Sequence, residues 1–391
     1  MLLREVFIIM PMMVSLFWVV LLLINPRKNI TKRYLAFFML LSTINYFVHS
    51  LYFSREYELF ALWDNVWILT SLASYPLYYN YIRLLTKEET LELKRFWILL
   101  PALILSIFSF ALYYMMSPHE MEIYINEIMY HERELSSAMT PILKLQQAKL
   151  ILFKIVFVLQ VVYTFFCGSR LIIEYNNSVS QFYSKTEGRN LSAIKWVLYV
   201  FVFASFISLV SSIVGKDFFI DEGWMIAIPS TTHSLFLFAI GYVGYNQNFT
   251  IVDFNNDLAL SNAIDAEEKK EESELDEIRL GLLSQLDSLM KEKELFKNSD
   301  IRISDLVKIL GTNRTYVSKL INEETGMNFC EWINGYRIAY AKHLLENPEY
   351  DELTMIAIAE MSGFSSRSVF YRAFKNSEGV SPGSYREQLN A

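Results

Sequence analysis

Seven stretches of about twenty mostly apolar residues follow one another over the first 245 positions. They are Val6–Ile24, Tyr34–Phe53, Leu59–Leu85, Phe96–Met115, Leu150–Ile173, Ile194–Gly215 and Trp224–Tyr245. A helix needs about 20 apolar residues to cross a bilayer core, so the pattern predicts a seven-helix transmembrane bundle over 1–245. The first stretch is long, lacks a small-residue cleavage site and is followed by Arg27 and Lys28, which reads as a span rather than a cleaved leader. From Asn246 to Ser273 the chain turns polar and acidic. That composition predicts a solvated cytoplasmic linker over 246–273. Fully extended it would reach about 95 Å, and as a flexible coil roughly 30 Å.

Beyond the linker the period becomes helical and amphipathic. Leu275, Ile278, Leu282, Leu286 and Leu289 recur at three- and four-residue spacing, which predicts the first helix of a C-terminal domain over 274–391. A short helix, DLVKIL, follows, with Ser304 as its expected cap and Gly311 as its stop. Asn313 would cap the next helix, which turns Val317, Leu320 and Ile321 inward and Arg314, Thr315, Ser318 and Lys319 outward. A long helix, Asn328–Glu346, leads to a second short-helix, turn, helix pattern. There Met361-Ser362-Gly363-Phe364 forms the turn. Arg367, Tyr371, Arg372 and Lys375 share one side of the last helix, and Phe370 and Phe374 the other. Two such units on one spacer suit two successive major grooves, about 34 Å apart. Arg and Lys can contact guanine bidentately, and Ser and Thr either bases or phosphates. Lys375 and Arg302 are placed for phosphates.

The tail from Asp276 to Leu389 resembles the AraC/XylS-type DNA-binding domain of bacterial transcription regulators. The resemblance rests on Arg337-Ile338, Ala341, Leu345, Met355, Ile358-Ala359, Gly363-Phe364, Phe370, Phe374, Gly379, Ser381-Pro382 and Tyr385-Arg386 at the expected spacing. It covers a little over a quarter of the chain. It implies groove-reading positions at Thr315, Ser318 and Lys319 in the first unit, and at Arg367, Ser368, Tyr371 and Arg372 in the second. The expected fold is thus all-α, a seven-helix membrane bundle followed by a cytoplasmic domain with two helix-turn-helix units.

Charge changes the picture in two places. Net charge is −7, and the segment from Lys297 to Ala391 holds 11 Lys and Arg against 12 Asp and Glu. Positive charge is therefore focused on the outward helix faces, and weak non-specific DNA binding is expected. In the bundle, basic residues concentrate in alternate connections: Arg27, Lys28, Lys32 and Arg33, then Lys87, Lys94 and Arg95, then Lys185 and Arg189. Cytoplasmic loops retain Lys and Arg, so the N-terminus is expected outside and the C-terminal domain inside, in a multi-pass protein of the cytoplasmic (inner) membrane. His49, Asp64, Lys154 and His233 fall inside the spans. Intramembrane ionisable groups usually face a bundle interior or wet cavity, which makes these four a candidate sensor pocket; interhelical hydrogen bonds or interface anchoring are the alternative reading.

Only Cys167 and Cys330 are cysteines, and no Cys and His spacing suits a metal. The sequence predicts no cofactor, no metal and no catalysis. The expected partners are double-stranded DNA, the lipid bilayer, a small-molecule or protein signal, and a second copy of the chain as a homodimer. The expected function is a membrane-anchored, sequence-specific transcription regulator whose bundle senses a signal. A transporter or passive anchor whose tail reports its state, or is released by proteolysis, is the alternative.

Overall fold

The computed structural model describes residues 2–24, 29–87, 90, 92–129, 139–214, 224–268, 275–312 and 314–389, with backbone alone at 93–94, 261–268, 275–283 and 315. Among them the regular elements are all helices. Among the described residues the one extended pairing is an isolated bridge between Tyr183 and Arg302. The chain forms two compact units, Met1–Ile173 with Leu191–Ile251, and Glu174–Asn190 with Val252–Ala391.

The first unit contains α1 (Leu2–Ile24), α2 (Ile30–Phe53), α3 (Tyr57–Thr86), α4 (Leu100–Met115), α5 (Pro118–Ile123), most of α6 (Pro141–Phe182), α7 (Ser192–Val214) and α8 (Ala227–Asn246). Five segments among the described residues are long and apolar enough to cross a membrane: Leu3–Ile24, Ile30–Phe53, Arg95–Met115, Pro141–Phe182 and Ser192–Val214. The other two expected spans are helical as α3 and α8 but more polar. Burial explains the difference for α3. More than half of its residues are enclosed, including Asp64, Thr70 and Asn80. A helix wrapped by its neighbours can keep polar side chains that bond to those neighbours. Val48, Leu51, Tyr52, Phe60, Ile68, Leu72, Ala102 and Leu105 form the core around it. Asn45 donates to Thr70 Oγ1 at 2.9 Å and Ser71 Oγ at 2.6 Å, joining α2 to α3.

The connection between α4 and α6 is structured where it is described. Ser117 caps α5 in a reciprocal box with Glu120, which satisfies orphan donors of the first turn. Helix α6 begins at Pro141, so Lys149 lies within its first turns. Its ammonium is fully buried, 3.4 Å from Asp64 Oδ2, and donates to Ser109 Oγ and Tyr124 OH, both at 3.1 Å. Tyr113 OH donates to the same carboxylate oxygen at 3.0 Å.

The acidic segment read as a solvated linker is largely a helix, α9 (Ile251–Glu268). Apolar positions at 251, 254 and 258 supply a helical period beneath the acidic composition. Phe254 is buried and packs edge-on against Tyr175, Phe182 and Tyr183. Asp257 accepts from Tyr183 OH at 2.6 Å and pairs with Arg302 at 3.1 Å. Residues 269–274, also assigned to the linker, lie outside the described residues.

Lys149→Ala would leave Asp64 as an unpaired buried charge, and removing one partner of a buried pair costs about 3–5 kcal/mol. Replacing both, as Asp64→Leu with Lys149→Met, should cost much less. Thermal unfolding of the detergent-solubilised full chain checks this. A Lys149→Ala protein melting with the wild type would remove the pair from the structural account.

Candidate nucleic-acid interface

The second unit continues with α10 (Leu275–Glu292), α11 (Ile303–Leu310), α12 (Arg314–Thr325), α13 (Phe329–Glu346), α14 (Met355–Met361), α15 (Arg367–Glu378) and α16 (Pro382–Leu389). Helix α11 starts one residue before the predicted cap. The Asp305 carboxylate, in its first turn, accepts the Arg302 backbone N–H at 2.8 Å. Gly311 ends it with φ +61, as expected. Ile303, Leu306, Val307, Val317, Leu320 and Ile321 are buried between α11 and α12.

Helix α13 is capped by Asn328, which accepts from Glu331 N at 3.0 Å. It carries Ile338, Ala341, Leu344 and Leu345 into a core with Ile358, Ala359, Phe364, Phe370 and Phe374. Thr354 caps α14, and Ser366 caps α15 by accepting from Val369 N at 3.4 Å. Between them Gly363 sits at φ +83, where a Cβ would clash with the Phe296 carbonyl and lie 2.7 Å from Lys297 Cα. Both the left-handed backbone and the close approach require glycine there. The Lys342 ammonium meets Glu378 at 2.8 Å and fixes the end of α15 to α13. That hydrogen bond lowers the Glu378 carboxyl from its ordinary value.

Burying Phe370 and Phe374 turns the opposite side of α15 outward. Arg367, Ser368, Arg372 and Lys375 are exposed, and Tyr371 is half-buried. Arg367 donates to Tyr371 OH at 3.1 Å and lies over its ring at 4.8 Å. This contact orders a long side chain before any ligand arrives. On α12, Lys319 is exposed and Ser318 half-buried. Lys319 lies 3.7 Å from Glu323. Arg314 lies over the Phe182 ring at 5.5 Å. The Thr315 side chain lies outside the described residues.

Arg337, part of the sequence resemblance, is 2% exposed and is a structural residue. It donates to the carbonyl oxygens of Phe296 and Asn298, both at 2.8 Å. Burial lowers its pKa to about 10, which leaves it cationic at neutral pH.

One element of this surface has no signature in the sequence. The stretch after α6 packs on the C-terminal helices. Ser184 N donates to Ile301 O at 3.3 Å, and the Cys330 thiol donates to Ser184 O at 3.1 Å. Burial raises the Cys330 pKa. Lys185 and Arg189 each lie 3.8 Å from Asp300. Glu187 accepts from Ser365 Oγ at 3.3 Å and from Ser366 Oγ at 3.0 Å. A carboxylate thus sits at the N-terminus of α15, beside a cavity of about 170 Å³ that Arg372 also lines. The partners are 178 and 179 positions apart, so no local pattern announces them. The cap at Ser366 was legible, since a serine directly precedes the helix.

In the first unit His49, Lys154 and His233 line one cavity of about 180 Å³. Asp64 does not line it and is held by Lys149 instead.

Residues 306–388 match the family described as "Helix-turn-helix domain". The chain is similar to the Msm operon regulatory protein of Streptococcus mutans, 34% identical over 91 residues, which are 23% of this chain and 32% of that protein. It is similar to the regulatory protein PocR of Salmonella typhimurium, 31% identical over 93 residues, 24% of this chain and 30% of that one. A third relative is the HTH-type transcriptional regulator YtdP of Bacillus subtilis, 31% identical over 90 residues, 23% of this chain and 11% of that one. The chain therefore spans a third or less of the length of these relatives. The solved C-terminal domain of AraT, a response regulator from Geobacillus stearothermophilus, is 28% identical, with 30% of this chain and 88% of that one covered and a TM-score of 0.25. The C-terminal helices form an AraC-type helix-turn-helix domain, shared with transcription regulators.

Gly363→Ala should destabilise the second unit by about 1–3 kcal/mol, the usual cost of a disfavoured backbone conformation, with the steric clash adding to it. Denaturant unfolding followed by Trp332 fluorescence measures the loss. An unchanged midpoint would show that the 296–297 turn gives way freely.

Proposed function

We propose that the chain is a membrane-anchored transcription regulator that binds double-stranded DNA through two helix-turn-helix units, α11–α12 and α14–α15. The observation that carries the reading is the α15 face, where Arg367, Ser368, Arg372 and Lys375 are exposed opposite the buried Phe370 and Phe374. A recognition helix of this make-up enters the major groove and reads base edges with its arginines. The AraC-type domain and the regulator relatives support it. Ser318 and Lys319 are the corresponding positions on α12, with Thr315 and Arg314 beside them.

The first unit acts as the anchor and sensor, with seven spans, the N-terminus outside and the DNA-binding domain in the cytoplasm. The five apolar helices support the anchoring, and the alternation of basic loops the orientation. Control reaches the reader through the 184–189 stretch. A helix N-terminus that faces DNA is a phosphate site, and the Glu187 carboxylate occupies that place on α15. While Glu187 is seated, the second unit is held from the duplex. A signal that withdraws this stretch frees it. Dimerisation on adjacent sites would raise affinity through effective concentration.

Genome-wide mapping of the bound sites supplies the operator, and footprinting of the full chain in lipid nanodiscs then tests the assignment. Arg367→Ala and Arg372→Ala should each cost about 1–3 kcal/mol of operator binding and relax base preference locally. Wild-type affinity in the double variant would overturn the assignment of α15. Glu187→Gln should strengthen operator binding by the full chain several-fold without signal. Weaker or unchanged binding would show that the contact does not restrain the reader.

A further inference from the structure

The cavity of the first unit carries a chemical preference that follows from its wall. It is about 180 Å³, somewhat larger than the roughly 150 Å³ apolar cavity that holds a benzene. The wall is largely aromatic. Trp67 stacks on Phe153 at 4.9 Å, Tyr75 on Phe201 at 4.8 Å, and Phe201 on Phe236 at 4.5 Å. The polar groups sit among them. The Lys154 ammonium, half-buried, donates to the Ser212 carbonyl at 3.0 Å. His49 Nε2 accepts from Trp67 Nε1–H at 2.8 Å, so in the neutral ring Nδ1 carries the proton. The Pro229 carbonyl, 2.7 Å from His233 Nδ1, can only accept, so that nitrogen is protonated and Nε2 faces Ser208 Oγ at 2.7 Å.

Among the described residues that line the cavity there is one lysine and no aspartate or glutamate. The buried carboxylate nearest in kind, Asp64, is taken by Lys149 elsewhere. An ammonium in a site of low dielectric is costly without a counter-charge, and the described residues of the wall offer none. We propose that the cavity binds a small aromatic monocarboxylate, its ring against Trp67, Phe153 and Phe201 and its carboxylate on Lys154. The inference rests on the sensing role proposed for the first unit and names the class of signal.

The test uses the full chain in nanodiscs of dioleoylphosphatidylcholine, with radiolabelled benzoate as the probe in equilibrium dialysis. One saturable site is expected. Benzyl alcohol should compete at least tenfold less well than unlabelled benzoate, and benzylammonium should not compete. Lys154→Gln should weaken binding at least tenfold, and Lys154→Arg by no more than about threefold. Absence of saturable binding, equal competition by benzyl alcohol, or undiminished binding in Lys154→Gln would overturn the proposal. The competition series uses wild type alone, so it decides even if Lys154→Gln does not fold. A reporter in cells carrying Ser208→Phe, which fills the cavity, separates the two readings. A reporter locked in one state by Ser208→Phe, while the wild type does not bind benzoate, keeps the sensing role and removes the carboxylate. Normal regulation in the Ser208→Phe cells, alongside saturable benzoate binding by the wild type, keeps the site and removes its part in sensing.

Discussion

The second unit depends on a buried guanidinium. Arg337 lies on the spacer helix α13 with no carboxylate salt-bridge partner among the described residues. Backbone carbonyls of Phe296 and Asn298 receive its protons instead, with help from Asn334 Oδ1 at 3.3 Å and Ser184 Oγ at 3.5 Å. Burying a charge this deeply is tolerated only when its donors are satisfied. Satisfying them fixes the turn at 296–298 against α13. That turn then lies so close to residue 363 that only glycine fits. The angle between α14 and α15 follows from that glycine, and the presentation of Arg367 and Arg372 follows from the angle. The same guanidinium reaches Ser184, so the stretch after α6 is part of this arrangement.

This links the reading surface to a segment far away in sequence. A domain with nearly equal numbers of acidic and basic residues has little general attraction for DNA, and its specific binding is correspondingly easy to suppress. In the proposed function, the Glu187 carboxylate at the N-terminus of α15 competes with a phosphate for the Ser365 and Ser366 hydroxyls. The modest strength of surface hydrogen bonds is suited to such a contact, because a restraint of a few kcal/mol can be removed by an equally modest signal.

In the first unit the polar groups divide into two kinds. Asp64 and Lys149 neutralise one another and are further bonded by Tyr113, Tyr124 and Ser109, which marks them as internal support. Lys154, His49 and His233 instead border open volume. Sequence placed all four candidate residues inside the spans, because an apolar run reports which residues a span holds. It does not report which neighbour a side chain will meet.

What the sequence determined by itself was local. The helices of the C-terminal domain, the stop at Gly311, the buried aromatics of α15 and the turn at Gly363 all follow from spacing and backbone preference within a few residues. Apolar runs likewise fall on helices among the described residues of the first unit, five of them long and apolar enough to cross a membrane. Tertiary structure decided everything that joins distant positions: Glu187 at Ser366, Ser184 at Arg337, Phe254 among Tyr175 and Phe182, Asp64 at Lys149. It also turned an acidic stretch read as solvated chain into a packed helix. These pairings depend on which surfaces bury together, and that is a property of the whole chain's packing that no local periodicity encodes.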